Sequence, residues 1–105
     1  MEFLVNISIA TPDTMAAADV DELRRREATR AAELAESGFL NRVWRVPGQW
    51  ANWGLWTAPD EPSLMDALAS LPLHPYMEIE VHRLDPHPSD PGSPATTSKE
   101  TTLDH

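Results

Sequence analysis

The sequence contains no cysteine, which excludes disulfides and any thiolate nucleophile or metal ligand. Lysine is nearly missing too: Lys99 is the only one in 105 residues, and the other seven cations are arginines. Seventeen acidic residues against eight basic ones leave a formal net charge of −9. That balance argues against nucleic acid and anionic membranes as partners. No long apolar run is present either. Met1 to Ala10 has no basic region, and its apolar stretch is too short for a signal peptide or a membrane span, so a cytoplasmic location is expected. Phosphate loops, a nucleophile elbow and a dinucleotide fingerprint are all absent. His74, His82, His87 and His105 have no partner at metal-ligand spacing on an expected helix, so no metal site is expected.

What remains is an ordinary apolar share of 41% with four tryptophans, a large aromatic payload for so short a chain. The length suits one domain with a two-layer core. Arginine in place of lysine suits the recognition of a carboxylate, because a guanidinium fork binds it through two parallel hydrogen bonds.

Phe3, Val5, Ile7 and Ile9 alternate with Glu2, Leu4, Asn6 and Ser8, the period of a strand. Thr11-Pro12-Asp13 ends it. An Ala-, Glu- and Arg-rich helix follows over Val20 to Gly38, where glycine can take the left-handed position after the last turn. Arg42 to Val46 alternates again, Pro47-Gly48 signals a turn, and Gln49 to Thr57 completes a hairpin. Gly54 within that strand suggests a bulge or a close approach. Asp60-Glu61-Pro62 opens a second helix whose apolar stripe is Leu64, Met65, Leu68 and Leu71. Pro72 to Pro75 is a connector, and Tyr76 to Leu84 is the last strand. The order βαββαβ predicts an α+β, ferredoxin-like fold, with a four-stranded antiparallel sheet and two helices on one face.

Two features break the simple pattern. Val20, Leu23, Ala31 and Leu34 lay one apolar stripe on the first helix, and Glu27 falls in its centre between Arg24 and Arg30. A carboxylate there either snorkels or pairs with a neighbouring arginine, or it faces a pocket where desolvation raises its pKa towards that of a general base. The second feature is strand three, which offers Trp50 and Trp56 to one sheet face and Trp53 and Leu55 to the other. An antiparallel sheet that is apolar on both sides is covered on both sides, so a homodimer at least is expected. The segment after Leu84 is rich in Pro, Ser and Thr; residues 91–105 read as a polar tail unable to order itself, beyond a domain over 1–90.

Arg26-Glu27, Glu33-Leu34 through Gly38, Val43-Trp44-Arg45-Val46, Ala51-Asn52 and Ser70-Leu71-Pro72-Leu73-His74-Pro75-Tyr76-Met77 together resemble the muconolactone isomerase family. His87-Pro88-Ser89 after the last strand is similar as well, so the resemblance covers residues 1–90. It implies a cofactor-free, ferredoxin-like assembly, typically a decamer of intertwined dimers. The activity it implies is isomerisation of muconolactone to 3-oxoadipate enol-lactone in the catechol branch of the 3-oxoadipate pathway. Glu27 is then the catalytic base, Arg45 binds the carboxymethyl group, and Asn52 and Tyr76 are polar contacts. Trp44, Trp50 and His74 complete the expected substrate contacts. Trp50 and His74 stand where the family usually has Tyr and Phe, and Met65 where it has His. Two other readings stay open at this point: an isomerase or cyclase of a larger, aromatic or polyketide-like substrate in biosynthesis, and a non-catalytic dimeric binding module.

Overall fold

In the computed structural model, which describes residues 1–92, the element order is β1 (Glu2–Ile9), α1 (Ala17–Glu36), β2 (Leu40–Arg45), β3 (Ala51–Thr57), α2 (Glu61–Ala69) and β4 (Met77–Leu84). A 3₁₀ turn, His74–Tyr76, precedes β4. The strands form one antiparallel sheet in the order β2-β3-β1-β4. This is the ferredoxin-like arrangement that the βαββαβ pattern predicted. From residue 93 the expected tail lies outside the described residues. No helix among the described residues is long and apolar enough to cross a membrane.

The alternation of β1 decides which face is the core. Phe3, Val5 and Ile7 are buried, and they pack with Trp56 of β3, Leu34 of α1, and Leu64, Ala67 and Leu68 of α2. Both helices therefore lie on that one face. Cross-strand register puts Leu4, Asn6, Trp53, Leu55, Arg42, Trp44 and His82 on the other.

The end of α1 follows from Gly38. Its φ of 91° is open to glycine at no steric cost. There the Gly38 N–H donates to the Ala35 carbonyl and the Phe39 N–H to the Leu34 carbonyl, the paired bonds of a Schellman motif. At the start of α2 the Asp60 carboxylate accepts from the Ser63 N–H at 2.8 Å, which holds its pKa below the usual carboxylate value.

Several expected boundaries move. β2 begins at Leu40 rather than Arg42, with a register shift between those residues. The irregularity thus lies in β2 and not at Gly54. Gly54 is instead a close approach: a Cβ there would stand 2.6 Å from the Trp56 indole nitrogen. β3 starts at Ala51, which leaves Trp50 in the connection, and Tyr76 belongs to the 3₁₀ turn rather than β4. Met65 is 40% exposed and stands outside the core stripe. The buried row on α2 is Leu64, Ala67 and Leu68, the i, i+3, i+4 spacing, and Leu71 joins it from beyond the helix.

Candidate active site

Only Leu34 of the α1 stripe is fully buried; Val20, Leu23, Glu27 and Ala31 are half-buried. A cleft of about 630 Å³ opens between this helix and the sheet. Glu27, Arg24 and Ala28 form its helix wall; Val43, Arg45 and Asn52 form its sheet wall. The register shift in β2 is what places Val43 and Arg45 on the helix side, opposite Gly54 and Asn52. Gly48, Gln49 and Trp50 from the hairpin connection close one end, and Ile9 and Leu73 also line it.

Glu27 is the carboxylate of this cleft. Burial raises its pKa above the ordinary 4.5, and two opposing effects only partly offset this: a hydrogen bond from the Leu73 N–H and the nearby His74. The Leu73 N–H donates to Oε1 at 2.9 Å and so fixes the carboxylate against the connector before β4. Among the described residues Glu27 forms no ion pair. The arginines that flank it in sequence are engaged elsewhere: Arg30 bonds Ser70 Oγ at 2.9 Å and pairs with Glu33, and Arg24 lies 4.3 Å over the Trp50 ring. A carboxylate with one backbone donor and a raised pKa can accept a proton and hold it.

Of the residues expected at the site, the cleft brings together Glu27, Arg45, Trp50 and Asn52. The Asn52 side-chain amide has no hydrogen bond among the described residues; the Asn52 backbone carbonyl accepts from Asn6 Nδ2 at 3.2 Å. His74 and Tyr76 belong to the 3₁₀ turn and do not line the cleft, although His74 is close enough to Glu27 to act on its charge. The Tyr76 backbone ties that turn to the end of β1, its carbonyl accepting from the Ala10 N–H at 3.0 Å. Trp44 is not brought to the cleft. It faces the opposite side of the sheet, 45% exposed, beside Trp53 and with the Arg42 guanidinium 4.9 Å over its ring. The residue sequence reasoning undervalued is Arg24, visible only as a flank of Glu27, although its i−3 spacing puts it on the same helix face. The Leu73 N–H carries no sequence signal at all, because any residue supplies a backbone donor.

The profile of the muconolactone delta-isomerase family matches residues 1–90. The muconolactone delta-isomerase of Cupriavidus pinatubonensis is 36% identical over 89 residues, covering 85% of this chain and 97% of that protein. Its counterpart from Pseudomonas aeruginosa is 36% identical over 85% of this chain and 93% of its own length, and that from Rhodococcus opacus 34% identical over 84% and 95%. A crystal structure of muconolactone isomerase superposes with a TM-score of 0.81 at 36% identity, covering 89% of this chain and 97% of the other. The chain belongs to the muconolactone delta-isomerase family of isomerases.

Proposed function

We propose that this chain shifts a proton and a carbon–carbon double bond within an unsaturated lactone that bears a carboxylate, converting muconolactone to 3-oxoadipate enol-lactone without a cofactor. The observation that carries the reading is one half-buried carboxylate of raised pKa on the wall of a cleft that also holds Arg45. The chemistry needs a base to remove an acidified ring proton and return it two carbons away. Glu27 does both steps, since a carboxylate that is partly desolvated keeps the proton until the dienolate takes it back. Arg45 binds the substrate carboxylate through its fork, and Asn52 offers a polar contact on the same sheet wall. The test is incubation of the folded chain with muconolactone while the conjugated lactone is followed by absorbance. Turnover to the enol-lactone is expected, and its absence overturns the reading.

The proposal extends to a homo-oligomer. Trp44, Trp53, Leu55 and Leu4 make an apolar row on the sheet face away from the helices, with Trp44 45% exposed and Trp53 and Leu55 half-buried. A row of this kind on one face is suited to burial against a second copy. Light scattering should give a mass at least twice the 11.7 kDa of one chain. A monomer at micromolar concentration removes this part of the proposal.

A further inference from the structure

Arg24 stands one turn before Glu27 on α1, and both side chains line the cleft. Residues three apart on a helix are neighbours, with Cβ atoms about 5–6 Å apart. Arg25 pairs with Glu22 and Arg30 with Glu33, but Arg24 forms neither an ion pair nor a side-chain hydrogen bond among the described residues. Its guanidinium lies 4.3 Å over the Trp50 ring instead. Stacking of this kind holds the plane of the fork and leaves its N–H edges free to donate. It also keeps the cation from swinging onto Glu27 and neutralising the base.

The geometry points to Arg24 as a further catalytic residue, the donor that stabilises the oxygen on which negative charge develops, an inference that rests on the isomerase reading above. In the first half of the reaction the C–H bond at the ring carbon bearing the carboxymethyl group breaks. Its proton goes to the Glu27 carboxylate, and its electron pair forms a new C=C bond. The existing double bond shifts by one position, and the carbonyl π pair ends on the carbonyl oxygen of the lactone. In the second half that pair restores the carbonyl, and the carbon next to it takes the proton back from Glu27. No electrons enter or leave. The carbonyl oxygen lies on the other side of the small ring from the carbon that loses its proton, a separation suited to two neighbours on one helix face.

Two arginines in one cleft then have different tasks. The substrate carboxylate stays charged throughout, so Arg45 binds ground state and transition state alike and acts on KM. The carbonyl oxygen gains its charge only on the way to the dienolate, so Arg24 acts on kcat. Donors fixed in advance at such an oxygen are worth about 10²–10³ in rate.

The experiment is steady-state kinetics on muconolactone with Arg24→Met, which keeps an apolar stem over Trp50, and Arg24→Lys, which keeps the cation. Circular dichroism on the same samples checks that the variants are folded. Arg24→Met is expected to lose about 10²-fold in kcat with KM within a few-fold of wild type, and Arg24→Lys to recover part of that loss. Arg45→Met should show the reverse split. An Arg24→Met enzyme with raised KM and unchanged kcat overturns the inference, as does one equal to wild type. Arg24→Lys no better than Arg24→Met assigns the loss to the stack on Trp50 and overturns it too. In all three cases an active wild type leaves the isomerase reading standing; a folded wild type that does not turn over muconolactone removes both.

Discussion

Glu27→Gln is expected to lower turnover by about 10² or more while the protein stays folded. Glutamine keeps the size of the side chain, and its amide oxygen can accept the Leu73 N–H as Oε1 does at 2.9 Å. What it loses is the basic lone pair. No cation is stranded by the change, because Glu27 has no ion-pair partner among the described residues. The pH dependence separates this from a purely structural role. Burial raises the pKa of Glu27 above 4.5, so the acid limb of kcat/KM in the wild type should fall at higher pH than an ordinary glutamate would give.

Stability carries the opposite sign. A carboxyl whose folded-state pKa is raised binds its proton more tightly when folded. Its contribution is fully present below the unfolded value near 4.5 and is lost as pH rises through the raised value. The wild type should therefore gain on Glu27→Gln as pH falls through that window, and at neutral pH the variant should be at least as stable. Thermal melts and turnover measured across pH on the same samples test both statements. A variant that melts early but keeps wild-type activity per folded molecule would falsify the base assignment.

The largest expected effect on stability belongs to Gly54→Ala. The added Cβ would stand 2.6 Å from Trp56 Nε1 and 3.1 Å from its Cδ1, with Leu40 Cδ1 at 3.6 Å beyond. Trp56 is 3% exposed and packed among Phe3, Leu34 and Leu64, so it cannot withdraw without disturbing the core. Overpacking of this kind costs about 1–3 kcal/mol, which lowers Tm by on the order of 10 °C in a domain of this size. Trp56→Phe removes the indole nitrogen, which is buried and has no hydrogen-bond partner among the described residues. Combined with Gly54→Ala it should therefore cost less than the sum of the two single changes. Additive costs in the four melts of that cycle would mean that the Gly54–Trp56 contact is not what requires glycine there.

The sequence by itself determined the architecture, because both its periods are strong. β1 alternates without a break, and the apolar spacing of α2 leaves a single row facing inward, so the layer order followed from patterning alone. It also marked Glu27, since a charge in the middle of an apolar stripe stands out whatever the fold. Its shortfall was in Met65, placed on the apolar stripe with Leu64, Leu68 and Leu71, although a helix turns about 100° between Leu64 and Met65. Trp44 shows the same limit in a strand: nothing in Val43-Trp44-Arg45 says which of the alternating side chains meets the helices. The register shift in β2 decided that, sending Val43 and Arg45 to the cleft and Trp44 to the far face. Tertiary structure alone also brought the Leu73 N–H to Glu27 across 46 residues and laid Arg24 over Trp50. Such contacts depend on where separate elements end and cross, which local propensity and hydrophobic period do not encode.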